Sequence, residues 1–304
     1  MAFRISEIPK QSKAELILLI VALNWGLTFP FTKIMLEFIS PALSVLIRFS
    51  ITIGIFILLF PSVPGSLNKH DLKPGLLLGI FLFAGFITQT IGMSYTTASK
   101  AGFITGTYIL MVPALQLFIS KRKFMPENIA GVIISTTGLF LLSGMGIDEI
   151  NTGDVLVLIC AAFYALHIIY LDKFSRRDGA NINALIFLQF AVMVLFSIPS
   201  VWLFDHYSNL GIFITISPAL IGTILFNTLI ATLLGFILVN RFQRYTLPVK
   251  AALIYSFEQV FAAIFAYLIL SELLSSIQIT GCLFMLTGLA VSEFYRPLFK
   301  KQTT

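Results

Sequence analysis

Tyr95-Thr96-Thr97-Ala98-Ser99-Lys100-Ala101-Gly102-Phe103-Ile104 and Tyr245-Thr246-Leu247-Pro248-Val249-Lys250-Ala251-Ala252-Leu253-Ile254 carry one pattern, Y-T-x3-K-A-x2-I, written twice at a spacing of 150 residues. The same gapless shift sets Gly131 on Gly281 and Thr137-Gly138-Leu139 on Thr287-Gly288-Leu289, so one register holds over about 45 residues. A charged residue repeated inside apolar sequence is a stronger sign of duplication than matching leucines. What lies between the copies decides what is duplicated. Continuous apolar runs about 20 residues long, enough to cross a hydrocarbon core of about 30 Å as helix, fall near 14–36, 42–60, 74–93, 99–119 and 127–144, and again near 153–173, 182–204, 217–240, 248–270 and 275–295. Each repeat holds five spans. Five is odd, so the second repeat enters the bilayer from the opposite side. Two inverted halves create a pseudo-two-fold axis in the membrane plane. The predicted fold is an all-α polytopic membrane protein of ten transmembrane helices, divided into repeats 1–146 and 147–304.

Composition requires lipid as solvent. Of 304 residues, 58% are hydrophobic and 11% are charged, where a soluble domain carries about 25% charged residues. The runs are continuous rather than alternating, which disfavours an outer-membrane barrel. Turn and cap signals divide the spans: Ser40-Pro41, Pro61 to Gly65, Pro126, Asn151 to Gly153, Gly179 to Asn183, Ser217-Pro218 and Pro248. The first run follows Arg4, Lys10 and Lys13 as a signal peptide would, but it continues through Asn24, Trp25, Pro30 and Lys33 without a small-residue cleavage site, so a retained helix is expected.

Loop charge tests the span count. Ten spans place both termini on one side, and 16 of the 20 Lys and Arg fall on that side, including Lys69, Lys73, Lys121 to Lys123, Lys173, Arg176, Arg177, Arg241 and Arg244. The exceptions are Lys33, Arg48, Lys100 and Lys250, within or at the edges of spans. The positive-inside rule then expects both termini in the cytoplasm of a prokaryotic cell, in its cytoplasmic (inner) membrane. The net charge of +6 is accounted for by these loops, and no nucleic-acid partner is expected. Cys160 and Cys282 lie inside apolar runs, and His70, His167 and His206 are scattered. No metal-ligand spacing, P-loop or hydrolase motif occurs, so neither a metal, a cofactor nor a catalytic residue is expected.

Several motifs taken in order resemble the ten-helix, EamA-domain branch of the drug/metabolite transporter superfamily. Leu23 to Phe29 with Lys33 is similar to the family's W-G-x-x-F…K opening, and Ala101 to Gly106 through Val112-Pro113 to its fourth-helix pattern. Ser256 to Ala263 resembles the ninth-helix L-E-P-V-F-A-A segment, with Gln259 where the family usually has proline. That replacement predicts a straighter helix. Ser271-Glu272 resembles the G-E before the last helix, Gly281 and Gly288 its G-x6-G, and Arg122 stands in the first-half slot opposite Glu272. The resemblance covers nearly the whole chain. It implies a secondary transporter working by alternating access in the export direction, with amino acids, other metabolites or amphipathic drugs as cargo bound between spans one, three, four, six, eight and nine.

Ionisable and polar residues at membrane depth are functional candidates by default. Glu258 sits mid-span, where desolvation disfavours a charged carboxyl; it is a candidate proton site or partner for a cargo amine, or a hydrogen-bonded structural group. Lys100 and Lys250 open equivalent spans, where the helix dipole does not favour a cation. They either bind an anionic cargo group, as basic residues on these helices are taken to do in the phosphate-translocator relatives, or snorkel to the interface. Asn24 and Trp25 lie mid-span one. Gln89, Tyr108, His167, Asn227, Tyr255 and Gln259 complete the candidate cavity wall, and Arg48 reads as an interface anchor. Pro30 and Pro113 are hinge candidates; Gly75-x3-Gly79 and Gly102-x3-Gly106 predict close packing within the bundle. The small-molecule cargo would be driven by proton or exchange coupling. A membrane-embedded sensor or interaction subunit without transport is the alternative, and an integral-membrane enzyme would need a polar cluster that the sequence lacks.

Overall fold

The computed structural model describes residues 10–120, 126–142, 150–206, 211–270 and 275–299. Ser271, Glu272 and Arg122 lie outside the described residues. Among the described residues ten helical segments follow one another: α1 Lys10–Met35, α2 Pro41–Leu59, α3 Lys69–Tyr95, α4 Lys100–Ile119, α5 Pro126–Leu142, α6 Thr152–Ser175, α7 Ile182–Asp205, α8 Pro218–Tyr245, α9 Pro248–Ile269 and α10 Ser276–Phe299. Eight of them are by themselves long and apolar enough to cross a bilayer; α5 and the apolar stretch Ser276–Ser292 of α10 are shorter. Among the described residues extended pairing is limited to one isolated bridge between Ile39 and Ile214.

The caps explain the boundaries. Proline occupies the first turn of α2, α8 and α9, where a missing N–H costs nothing. Asn68, Asn181 and Ser217 accept backbone N–H groups at the starts of α3, α7 and α8. Asn151 and Asp154 form a reciprocal capping box on α6. Asp205, at the end of α7, accepts from the Ala42 and Leu43 N–H groups and so caps α2 from another span.

The pseudo-two-fold axis is visible where α5 crosses α10. These are the fifth helices of their repeats. A Cβ added to Gly138 would lie 2.5 Å from the Gly281 carbonyl oxygen, and one added to Gly131 would lie 2.7 Å from that of Gly288. Equivalent glycines therefore face each other in antiparallel order, as a two-fold axis between the helices requires. Ser135 donates to the Met285 carbonyl at 3.4 Å, and these two positions are also equivalent under the 150-residue shift. The remaining contacts repeat the relation: α2 packs on α7, and α1 on α9 as α6 does on α4. Side chains such as Leu58, Phe118, Leu195 and Leu268 point outward and are more than half exposed, forming an apolar rim suited to lipid.

Two core helices break at equivalent depth. α4 is interrupted at Thr107, and α9 at Ser256; each hydroxyl donates back to a carbonyl three residues earlier. The expectation that Gln259 would straighten α9 is thus corrected: the break sits at Ser256 and needs no proline. α1 breaks between Gly26 and Thr28, ahead of Pro30. α8 widens into a π-helical segment at Phe226–Leu234, an arrangement that recurs near functional sites. Gly75 and Gly79 receive Leu188 and Val192 of α7, while Gly106 receives Leu139 and Gln259, so both glycine pairs serve packing inside the bundle.

Candidate substrate cavity and its two end clamps

A partly open cavity lies at the centre of the bundle. Its wall comes from α1, α3, α4, α6, α8 and α9, with one further contribution, Arg48, from α2. Six of the sequence candidates line it: Trp25, Gln89, Tyr108, His167, Tyr255 and Glu258. Five are placed elsewhere. Asn24 is half-buried on α1 outside the lining, and Asn227 is fully buried beside Met35. Gln259 packs against Gly102 and Gly106. Lys100 and Lys250 stand at opposite ends of the bundle.

The wall is aromatic with polar inserts. Trp25 stacks obliquely against Phe236 and Tyr255, with ring centres 5.7 and 5.6 Å apart. Its indole N–H donates to the Ala231 carbonyl at 2.9 Å, within the π-helical segment of α8, where the i→i−4 pattern is relaxed. Trp25 therefore ties the first repeat to the second. Gln89 donates to Thr105 and accepts from the Tyr164 hydroxyl, joining α3, α4 and α6. His167 pairs with Gln189 at 2.8 Å, and Gln189 donates on to Asn240. One imidazole nitrogen is thus held in a buried amide chain. Glu258 is 8% exposed, and among the described residues no side chain pairs with its carboxyl.

The ends of the bundle carry the repeated motif. On the face where α1 begins, the Lys250 ammonium lies 2.8 Å from Glu15, the Thr246 hydroxyl donates to the same carboxylate at 2.9 Å, and Arg176 donates to the Thr246 carbonyl. On the opposite face, the Lys100 ammonium lies 2.8 Å from Asp154, the Thr96 hydroxyl donates to Asp154 at 2.7 Å, and Lys33 donates to the Thr96 carbonyl at 3.0 Å. Each T-x3-K element, from the start of the fourth helix of one repeat, grips a carboxylate on the first helix of the other repeat. A cation at the end of its own repeat's first helix braces the threonine. The clamp on the first face is the drier: the Lys250 side chain is 9% exposed and the Lys100 side chain 24%.

Sequence reasoning missed the carboxylates Glu15 and Asp154, the bracing roles of Lys33 and Arg176, and the position of Arg48. The threonine and lysine of each clamp were visible as a repeat. Their acidic partners are not related by the 150-residue shift, which carries Glu15 to Ala165 and Asp154 to Arg4.

Fold and cavity together define a polytopic membrane protein with a central cavity between two inverted halves. The EamA-like transporter family matches residues 12–144 and again 151–294. An uncharacterized transporter of Archaeoglobus fulgidus is 35% identical over 282 residues, covering 93% of this chain and 86% of that one. A probable amino-acid metabolite efflux pump of Salmonella typhimurium is 24% identical over 290 residues, covering 91% of this chain and 93% of its own. A protein of known crystal structure superposes with a TM-score of 0.76 over 95% of this chain and 100% of its own, at 15% identity, which establishes likeness of fold. The chain belongs to the EamA-like transporter family, and is a transporter rather than an enzyme.

Proposed function

We propose that this protein is a secondary transporter that exports a small metabolite, an amino acid or related compound, across the cytoplasmic membrane by alternating access. The observation that carries the mechanism is the pair of symmetry-related clamps. Thr96 and Lys100 hold Asp154 at one end of the cavity, and Thr246 and Lys250 hold Glu15 at the other. Both bridge the two repeats, taken as 1–146 and 147–304, so releasing either one lets the halves part at that end alone. Two similar closures at opposite ends give two states of similar energy, as alternating access requires. The loop charges favour a cytoplasmic location for both termini, and hence for the Glu15–Lys250 clamp. Export and amino-acid cargo draw support from the Salmonella relative, a probable amino-acid metabolite efflux pump.

The driving force is a gradient of protons or of exchanged cargo. Glu258, buried in the cavity wall without a counter-ion among the described residues, is the residue at which a proton would couple. The test is uptake of labelled amino acids, nucleosides and polyamines into proteoliposomes under an imposed pH gradient. The parent is expected to concentrate at least one class. Glu258→Gln is expected to keep passive exchange and lose pH-driven accumulation. A variant that still concentrates cargo as the parent does would remove Glu258 from coupling, and a parent that moves no member of the panel would count against transport of these compounds.

A further inference from the structure

Arg48 lies two turns into α2, lines the central cavity and is 7% exposed. An anchoring arginine carries its head to the membrane interface; this one does not. Its Nε donates to the Thr232 hydroxyl, which donates in turn to the Asn227 carbonyl five residues back, inside the π-helical segment of α8. Its guanidinium carbon stands 5.1 Å from the centre of the Phe86 ring. Among the described residues no carboxylate comes within ion-pair distance of it.

Packing does not account for an arginine here. A neutral donor would satisfy Thr232, and an apolar side chain would cover Phe86. Buried charges are commonly replaced by apolar residues with no loss of stability, whereas a buried charge without its partner is destabilising. A guanidinium has five donors in a planar fork suited to carboxylate and phosphate, and Thr232 uses one. The Phe86 ring beside it lowers the local dielectric, which strengthens any charge pairing made there. Glu258 lines the same cavity and forms no ion pair with Arg48, so the cavity holds one cation and one carboxyl that do not neutralise each other.

We infer that Arg48 is a specificity-determining residue that receives an anionic group of the cargo, a carboxylate or a phosphate, through the donors that Thr232 leaves unused. This deepens the transporter reading and rests on it. An ammonium on the same cargo would face Glu258.

The test is binding to the purified full-length protein, followed by thermal shift and calorimetry. The probes are phenylalanine, phenethylamine (no carboxylate), 3-phenylpropionate (no amine) and glucose 6-phosphate. The parent is expected to prefer carboxylate-bearing or phosphate-bearing probes over phenethylamine by about tenfold or more, the scale of a charge-assisted hydrogen bond. Which anion is favoured separates carboxylate from phosphate. Arg48→Gln is expected to abolish the preference while phenethylamine binding stays. Arg48→Lys, which keeps the charge and loses the fork, is expected to weaken anion binding without abolishing the preference; it carries the test alone if the glutamine variant does not fold. A parent without anion preference overturns the inference, as does an Arg48→Gln or Arg48→Lys protein with unchanged anion affinity. Flux in proteoliposomes separates the two readings. An anion bound through Arg48 but never moved refutes transport of that anion and leaves the site standing. Flux of anionic cargo untouched by either variant refutes the site and leaves transport standing.

Discussion

Glu15→Gln should open one end of the transporter and leave the other shut. Glu15 and Lys250 are 8% and 7% exposed, their charged atoms lie 2.8 Å apart, and Thr246 shares the carboxylate. Glutamine keeps the volume and an oxygen for Thr246 but strips the charge that Lys250 faces. The lysine then gains by reaching water, which it does when α1 and α9 separate at that face. A hydrogen bond to a charged group contributes about 1.5–3 kcal/mol. If the closed clamp loses that amount relative to the open one, the open population rises about tenfold to a hundredfold. The full cost of stranding a buried ion, about 3–5 kcal/mol, does not apply, because opening relieves it. The assay is labelling by a membrane-impermeant maleimide of a single cysteine at Val239, buried in the cavity wall, in a background where Cys160 and Cys282 are alanine. Glu15→Gln is expected to speed labelling from the face of α1's N-terminus about tenfold or more. A second reporter at Met93, near the Asp154 clamp, is expected to keep its rate from the opposite face. The exchanged pair Glu15→Lys with Lys250→Glu is expected to restore slow labelling at Val239. An unchanged Val239 rate in Glu15→Gln, or equal acceleration at both reporters, would refute a gate at this pair.

Two further outcomes follow from packing. Trp25→Phe removes the indole bond to the Ala231 carbonyl and is expected to lower the thermal midpoint by the equivalent of about 1 kcal/mol; Trp25→Ala is expected to weaken bulky aromatic cargo more than small cargo in the same binding panel, and equal losses for all sizes would make Trp25 a packing residue only. Gly288→Ala would bring a methyl within 2.2 Å of the Ser135 hydroxyl and 2.6 Å of the Gly131 carbonyl, so a loss of about 1–3 kcal/mol is expected, read as a lower midpoint, while Gly54→Ala, with nothing within 4 Å of its added Cβ, is expected to leave the midpoint in place.

The architecture was legible because it rests on properties local to the sequence. Apolar run length sets the spans, and first-turn prolines together with Asn or Ser caps set their ends, as at Pro41, Asn151 and Ser217-Pro218. The Y-T-x3-K-A repeat gives the duplication. The break in α9 was not legible from the missing proline, because Ser256 bonds back to Leu253 and ends the helix turn without one. The placement of Arg48 was not legible for a different reason. Position along a span says how deep a residue sits, but not which side of the helix meets lipid or cavity, and α2 has no strongly one-sided pattern to decide it.

The clamps show where a repeat stops predicting its own chemistry. Duplication preserved the threonine and lysine, because they sit in one short segment whose register survives. The carboxylates sit on the first helices, at Asp154 within the first turn of α6 and at Glu15 further into α1, so the shift that aligns the lysines does not align their partners. An inverted repeat needs only that each face offer an acid within reach of its lysine, and that condition is met in space rather than in register. The same difference makes the two ends unequal: the capping box holds Asp154 rigidly from its own helix, whereas Glu15 takes a bond from Gln11 one turn away and lies in the drier clamp. Two closures built alike but held differently would not open with equal ease, and such a bias favours net movement in one direction only when a gradient is coupled to it. Glu258, which lines the cavity between the two ends, is the point at which we propose that coupling.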